Sequence, residues 1–504
     1  MSAQGLQQRE RRGWPSAWLI ALASAGVVAA VLLGPHPLAL PDASTGDVAL
    51  AARVRELLGP RPGTRAVAVA LVERDRTRFA GLGHSGNAAR PAVDEHSPFE
   101  IGSIGKALNG MLLATLAADG IVTPDTRVGD IVKGEPIASS PVGDVTLREL
   151  TQHRSGLPRA DVGGAIGGVR AVLRQFAGGN PYPAWPPERL MDEAASLSTD
   201  GRGSFAYSNT GAAVLGHTLA AAAGMPYPQL LRARVLEPLG MTSTVVAASD
   251  AVLPPARVRG TSLIGRPRAP WQGEGFAPAG FVWSTTADLG RLLRALIDGT
   301  APGLEATRPA APVREGERIG FGWFTTRADG RDVTWHNGGT GGFSSWIGFD
   351  AAAGRGVAVL SASDRALDPL GRHLLGAGPP PRQPGRAWPD ATGWLQLAVL
   401  AFAPFTVIRA LKRPQPHRLA APGTVVDAVG ILLVMWAVGP WLDVPSLVWS
   451  LAAAITAIAA AWLLHRARDI QAPAPGRARL TFGISATLLT ALAAWLILER
   501  FQRI

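Results

Sequence analysis

The sequence predicts a globular domain of mixed strands and helices that is attached to membrane-spanning helices. Of its 504 residues, 47% are hydrophobic and only 17% are charged, which is too apolar a balance for an ordinary soluble chain. Between Asp47 and Gly376, short strand-like runs alternate with amphipathic helical runs, and glycines and prolines separate them. Apolar stretches lie on both sides of this region. The region itself is long enough to bury a core as one domain.

The N-terminal segment, residues 1–34, predicts a membrane helix. Three arginines precede the 20 uncharged residues from Trp14 to Leu33, which are enough to cross about 30 Å of hydrocarbon. Such a segment is either a cleaved export signal or a permanent anchor. We favour the anchor because the proline-rich residues that follow contain no clean small-x-small cleavage site. In both cases the residues after Leu33 face outward.

Two segments follow the predicted globular domain of residues 47–376. Residues 377–392 predict a semi-rigid linker, since their prolines leave few apolar residues for packing. Residues 393–504 predict a membrane domain of four helices. These four spans are Gly393–Ile408, Thr424–Trp441, Ser446–Leu464 and Leu480–Leu498.

The charges between the four spans predict their orientation. The first and third connecting loops are rich in arginine, whereas Asp443 is the one charged residue of the second. By the positive-inside rule the two basic loops are cytoplasmic. The expected protein is therefore a multi-pass protein of the cell membrane with five spans, a cytoplasmic N-terminus and an extracytoplasmic globular domain. More than half of the net charge of +11 lies within residues 393–504. We expect this charge to orient the spans, so it provides no evidence that nucleic acid is a partner.

The cysteine and lysine counts limit the kinds of catalytic and metal site that the chain can contain. The chain has no cysteine, which excludes disulfides, thiolate catalysis and cysteine-ligated metals. It contains no His-Glu-x-x-His motif and no dinucleotide or phosphate loop, so we expect no metal and no cofactor. Only three of its 49 basic residues are lysines, namely Lys106, Lys133 and Lys412. A lysine within a motif is therefore informative.

Ser103 and Lys106 form the first candidate motif. They lie three residues apart at the start of a predicted helix, and this spacing puts both side chains on one face. A serine hydroxyl needs an adjacent base to become a nucleophile, and a desolvated lysine near a helix N-terminus can serve as that base. Taken alone, the pair also fits a helix start with a solvated lysine.

Tyr207 and Asn209 form the second candidate motif. A phenol beside an ammonium group can ionise and act as a general base. The asparagine amide can both donate to and accept from a substrate amide or ester. The alternative is a buried tyrosine in a turn.

The third motif is the segment Trp335–Ser345, which contains His336 and four glycines and follows a strand-like run. Glycines allow a strand edge to approach a ligand closely, and histidine supplies a donor whose charge can switch. The alternative is a glycine-rich hairpin with a surface histidine.

In this order and at these separations, the three motifs resemble those of the serine β-lactamases and penicillin-recognising hydrolases. These proteins carry Ser-x-x-Lys, Tyr-x-Asn and Lys-Thr-Gly or His-x-Gly, and the similarity is greatest to their class C-like branch. Three further segments are similar to family motifs: Leu150–Pro158, Glu237–Met241 and Ala279–Leu289. The resemblance spans about residues 47–376.

The resemblance implies an α+β fold, in which an antiparallel sheet is built from both ends of the domain and a helical subdomain lies between them. The candidate strands are Val67–Val72, Asp332–Trp335 and Gly356–Leu360. With the segments outside this domain, the expected protein has an N-terminal transmembrane helix and a C-terminal helical membrane domain.

The resemblance also implies catalytic roles. Ser103 would be the acylated nucleophile, and Lys106 would help to deprotonate it. Tyr207 would shuttle the proton to the leaving group and activate water.

Substrate binding would involve four other residues. Asn209 would hold a substrate carbonyl or amide, and His336 would replace the lysine that meets a substrate carboxylate. Gly338 and Gly339 would line the site, with the backbone N–H groups of Ser103 and Gly339 forming the oxyanion hole. A neutral or partly charged imidazole is a weaker carboxylate partner than a permanent ammonium group, which argues against strong penicillin binding and favours esters or D-amino-acid peptides as substrates.

The expected function is that of a membrane-anchored, extracytoplasmic serine hydrolase that forms an acyl-enzyme with an amide or ester. Its partners would be a small-molecule or peptide substrate, which could derive from the cell wall, and the lipid bilayer. Two alternatives use the same site: a membrane sensor that is acylated without turnover, and a non-catalytic cell-wall binder.

Overall fold

The computed structural model describes residues 17–382, 389–412 and 420–467. These residues form two compact units. One unit comprises residues 37–382, and the other contains residues 17–36 together with 389–412 and 420–467. The fourth predicted span, Leu480–Leu498, lies outside the described residues.

The larger unit contains twelve strands within the described residues. They are β1 (Ser44–Gly46), β2 (Ala66–Val72), β3 (Thr77–Gly83), β4 (Phe99–Glu100), β5 (Val245–Val246), β6 (Val282–Ser284), β7 (Ala311–Arg314), β8 (Glu317–Ile319), β9 (Phe324–Ala328), β10 (Arg331–Gly339), β11 (Ser344–Asp350) and β12 (Arg355–Ser361).

Fourteen α-helices lie in the two units as described. They are α1 (Ala17–Leu32), α2 (Val48–Leu58), α3 (Ile104–Ala118), α4 (Val128–Ile131), α5 (Leu147–Thr151), α6 (Gly164–Ala177), α7 (Pro187–Ala195), α8 (Asn209–Ala223), α9 (Tyr227–Leu231), α10 (Thr286–Ile297), α11 (Asp368–Leu375), α12 (Ala391–Leu411), α13 (Ala420–Val438) and α14 (Leu447–Ala467).

Nine strands form one antiparallel sheet in the order β1-β3-β2-β12-β11-β10-β9-β8-β7. Strands from the two ends of the domain meet at its centre, where β2 pairs with β12. This confirms the predicted α+β fold, in which both ends of the domain build the sheet. The three predicted strands are also present and each is longer than expected, with the largest difference for β10, which has nine residues.

The sequence of β2 shows why it occupies the middle of the sheet. It alternates small alanines with the larger side chains of Val67, Val69 and Leu71, and every one of its residues is buried. Side chains along a strand point to opposite faces in turn. The larger side chains belong to a core cluster that also contains residues of α2 and α11, while α10 packs against β2 and β12 as well. Helices therefore cover this part of the sheet.

A second, three-stranded sheet positions the start of α3. Its order is β4-β6-β5, and the backbone N–H of Ile101 donates to the carbonyl of Val282 at 2.9 Å directly after β4. Gly102 then adopts a φ of +52°, in the left-handed region that favours glycine. The chain turns here, and the helix begins at Ile104.

Three helices of the smaller unit, α12, α13 and α14, are long and apolar enough to cross a membrane. They correspond to the first three predicted C-terminal spans. Helix α12 contains Pro404, which a membrane helix tolerates when neighbouring groups satisfy the freed backbone.

The N-terminal anchor stays a prediction, because α1 has 16 residues in the described part of the chain and residues 1–16 lie outside it. Within its unit, α1 contacts the C-terminal helices. Trp436 donates from Nε1 to the Leu33 carbonyl at 2.6 Å, and Ser450 donates from Oγ to the Ala30 carbonyl at 2.9 Å.

Candidate active site

Ser103 and Lys106 lie side by side at the N-terminus of α3. Lys106 Nζ is 2.9 Å from Ser103 Oγ and also donates to the carbonyl of Ala279. The lysine is only 3% exposed, so it is not the solvated lysine of an ordinary helix start. The predicted spacing thus produces direct contact between the hydroxyl and the amine.

Burial lowers the pKa of Lys106 well below its usual value, and the positive charge of Arg159 lowers it further. Loss of water disfavours the charged form of an amine, and a nearby like charge acts in the same direction. The neutral amine, which can accept the proton of Ser103, is therefore accessible at a lower pH than for a free lysine.

Tyr207 completes a cluster around the Ser103 hydroxyl. Its side chain is hydrogen-bonded to Ser103, and Lys106 Nζ lies 5.1 Å from the centroid of its ring. Burial raises the pKa of Tyr207 to about 12, although the Ser103 hydrogen bond and the charge of Arg159 oppose this rise. The phenol is therefore neutral near pH 7, and its predicted role as a general base stays a prediction. Lys106 is the better base in the resting site.

Asn209 is held in the same wall of the site by the start of α8. Its Nδ2 donates to the hydroxyl of Tyr182 at 2.7 Å, and its backbone N–H donates to the carbonyl of Arg159 at 2.7 Å. Ser208 caps the helix by accepting from the N–H of Gly211 at 2.8 Å. The cap and the two hydrogen bonds fix the orientation of the amide.

His336 lies on β10 and is completely buried. Burial lowers its pKa to about 3, and the charge of Lys106 adds to the effect. Its Nδ1 is 2.5 Å from the carbonyl oxygen of Asn337. The imidazole is therefore neutral at physiological pH. A contact between His336 and a substrate carboxylate stays a prediction, but the residue is not the surface histidine of a glycine-rich hairpin.

The end of β10 packs directly against the backbone that precedes Ser103. A Cβ atom added at Gly338 would collide with the Ile101 carbonyl, and one added at Gly102 would lie 2.8 Å from the Gly339 nitrogen. Only glycines allow this approach. The arrangement brings the backbone of Gly339 next to the segment that carries Ser103, as a two-donor oxyanion hole requires.

Sequence reasoning missed three residues of this region: Glu100, Arg159 and Tyr182. Glu100 accepts the backbone N–H of Trp271 at 3.0 Å, and burial raises its pKa to about 8. The sequence pattern that could have identified Glu100 is a single acidic residue between the apolar residues at 99 and 101. Tyr182 and Arg159 reach the site only through the tertiary fold, and they carried no local signal.

His153 supports the site from below the Tyr207 ring. The two ring centroids are 4.2 Å apart, and Nδ1 of His153 accepts the backbone N–H of Ser208 at 3.2 Å. Its φ of +56° is unusual for a residue other than glycine. These contacts give His153 a structural role beside the Tyr207 ring.

Comparison with known proteins places the chain in a family. The beta-lactamase family model matches residues 50–389. "Penicillin-binding protein 4" of Amycolatopsis lactamdurans is 26% identical over 324 residues, which cover 59% of this chain and 81% of that protein. The "D-alanyl-D-alanine-carboxypeptidase/endopeptidase AmpH" of Escherichia coli K12 is 28% identical over 193 residues, which cover 37% of this chain and 46% of the relative. The match thus spans less than half of the AmpH protein.

A solved structure shows the same fold. The class C beta-lactamase of Rhodobacter sphaeroides has a TM-score of 0.53 and 22% identity, with 62% of this chain and 94% of that chain covered. Together with the match to the family model over most of the chain, this shows that the chain belongs to the beta-lactamase family.

Proposed function

We propose that this protein is a membrane-tethered serine hydrolase that cleaves amides or esters through an acyl-enzyme on Ser103. The observation that carries the proposal is the 2.9 Å contact between Ser103 Oγ and the buried Lys106 Nζ. A serine paired with a base of lowered pKa is an activated nucleophile. The names of the relatives, a penicillin-binding protein and a D-alanyl-D-alanine carboxypeptidase, support peptides that contain D-amino acids as substrates.

The reaction follows from the positions of these groups. Lys106 accepts the hydroxyl proton as Ser103 Oγ attacks the substrate carbonyl carbon. The N–H groups of Ser103 and Gly339 donate to the oxygen of the tetrahedral intermediate. As the intermediate collapses, the bond to the leaving group breaks, and that group receives a proton through the Tyr207 hydroxyl. Water, deprotonated by the same cluster, then attacks the acyl-enzyme and releases the acid.

The orientation of the protein is part of the proposal. The three apolar helices α12–α14 support attachment to a membrane, and the distribution of arginines supports an extracytoplasmic position for the hydrolase domain.

Mass spectrometry tests the acyl-enzyme directly. The full-length protein in detergent is incubated with 4-nitrophenyl esters, D-alanyl-D-alanine peptides and nitrocefin, and adducts are mapped by peptide. We expect an acyl group on Ser103 together with continued product release. Ser103→Ala should abolish both, whereas Ser139→Ala, at an exposed serine, should change neither. A stoichiometric adduct without turnover would favour the acylated sensor, and hydrolysis that survives in Ser103→Ala would disprove the nucleophile.

The pH dependence should follow Lys106. We expect kcat/KM to fall as pH drops through the pKa of Lys106, because protonation removes the lone pair that accepts the Ser103 proton. Arg159 lowers this pKa, so Arg159→Gln should raise it and move the acidic limb of the profile to higher pH. The profile is measured with a neutral 4-nitrophenyl ester, and Arg170→Gln, at an exposed arginine of α6, is the control. A limb that stays in place or moves to lower pH would contradict Lys106 as the base.

A further inference from the structure

Arg159 brings a positive charge into the wall of the site. Its guanidinium carbon lies 5.2 Å from the centroid of the Tyr207 ring, and Lys106 Nζ lies 5.1 Å from the same centroid. Arginine carries its charge at all ordinary pH values and binds carboxylates through a planar fork of donors. A charged guanidinium therefore stands beside the residues that surround the reactive hydroxyl.

The backbone around Arg159 is tied to the helix that carries Asn209. The carbonyl of Arg159 accepts the N–H of Asn209 at 2.7 Å, and Ser208 Oγ donates to the carbonyl of Pro158 at 2.7 Å. A side chain that extends from a fixed backbone loses less entropy when it binds a ligand. The charge is thus held near the proposed amide-binding residue.

The charge of Arg159 acts on the ionisable residues of the site. Its charge lowers the pKa of Lys106 and opposes the rise in the pKa of Tyr182 and of Tyr207. These effects agree with the geometry, in which the Arg159 carbonyl accepts the N–H of Asn209 at 2.7 Å and its guanidinium carbon lies 5.2 Å from the centroid of the Tyr207 ring.

We propose that Arg159 binds an anionic group on the acyl portion of the substrate, so that the preferred substrates are amides or esters whose acyl part carries a carboxylate. This inference rests on the proposed hydrolase function. It differs from the expectation for His336, because the charge that meets the anion belongs to Arg159, whose carbonyl accepts the N–H of Asn209. Asn209 would hold the substrate amide, and the guanidinium beside it would meet an anion attached to the same acyl chain.

Three esters test the inference with the full-length protein in detergent. The mono-4-nitrophenyl ester of adipic acid carries a carboxylate on its acyl part, and methyl 4-nitrophenyl adipate is its neutral counterpart. The ester 3-carboxyphenyl hexanoate carries the carboxylate on its leaving group. The value of kcat/KM is measured for each at a pH above the acidic limb of each variant, with the spontaneous rate subtracted.

We expect Arg159→Gln to lower the ratio of kcat/KM for the acidic adipate to that for the neutral adipate by about tenfold to a hundredfold, as for the loss of a charge-assisted hydrogen bond. Arg159→Lys should restore part of this ratio, because lysine keeps the positive charge but lacks the planar set of guanidinium donors. Arg170→Gln should leave the ratio unchanged.

Two results would overturn the inference. The first is an unchanged ratio in Arg159→Gln, whether or not all three esters lose activity equally, and the second is a selective loss for the ester with the carboxylate on its leaving group. In either case, intact Ser103-dependent release would leave the hydrolase function standing. If no ester gave Ser103-dependent release in the wild-type protein, the proposed function itself would fail.

Discussion

Replacing Lys106 by alanine is expected to lower kcat/KM by about 10²- to 10⁴-fold, the range typical of a lost general base. The physical reason is the direct contact between its Nζ and Ser103 Oγ. Without this amine, no group beside the serine hydroxyl is a strong enough base to accept its proton at neutral pH. Ester turnover and the rate of Ser103 acylation should fall together, and both are measured on the full-length protein.

The chain provides its own control, because it has only three lysines. Lys133 is exposed, so Lys133→Ala should leave kcat/KM within experimental error. A buried amine also contributes to packing, and Lys106→Met therefore separates lost chemistry from lost structure. If Lys106→Met kept wild-type acylation rates, Lys106 would have no role as the base.

Tyr207→Phe is expected to reduce kcat/KM by about 10²-fold. The substitution keeps the ring but removes the hydroxyl that is hydrogen-bonded to Ser103. The loss should be larger for amides than for 4-nitrophenyl esters. An amine must be protonated as it leaves, whereas nitrophenolate leaves readily as an anion. Parallel measurement with a D-alanyl-D-alanine amide and a 4-nitrophenyl ester distinguishes a role in leaving-group protonation from a general role in structure.

The three tyrosines of the chain make a matched set for this experiment. The hydroxyl of Tyr227 is buried without a hydrogen-bond partner among the described residues, so Tyr227→Phe should leave activity and stability nearly unchanged. Tyr182→Phe removes the acceptor of the Asn209 amide and should raise KM more than it lowers kcat. Equal losses in Tyr207→Phe and Tyr227→Phe would exclude a specific role for the Tyr207 hydroxyl.

Local sequence patterns predicted those parts of the fold that depend on neighbours along the chain. Val67–Val72 is a continuous apolar run, as a strand buried on both faces requires. The spacing of Ser103 and Lys106 determined their contact, because three residues make nearly one helical turn. The first C-terminal span proved longer than its apolar run. Asp390 caps α12 by accepting from the N–H of Gly393 at 2.8 Å, and the helix continues to Leu411.

The electrostatic properties of the site could not be predicted in this way. The pKa values of His336 and Tyr207 depend on burial, and the residues that bury them come from distant parts of the sequence. Arg159 follows a recognisable turn, but its position beside Tyr207 depends on how that turn meets the start of α8. Such effects arise only after the tertiary structure has formed.

The pairing of β2 with β12 also has a consequence for biosynthesis. Strand β2 can pair with β3 as soon as the hairpin has left the ribosome, but its other edge stays unpaired until β12, much later in the sequence, has been made. An open edge of alternating valine and alanine is a site of aggregation. We therefore expect this edge of β2 to need protection until β12 has been synthesised. A nascent chain that stops before β12 would expose an aggregation-prone strand, so cellular quality control would act on it as an unfolded protein.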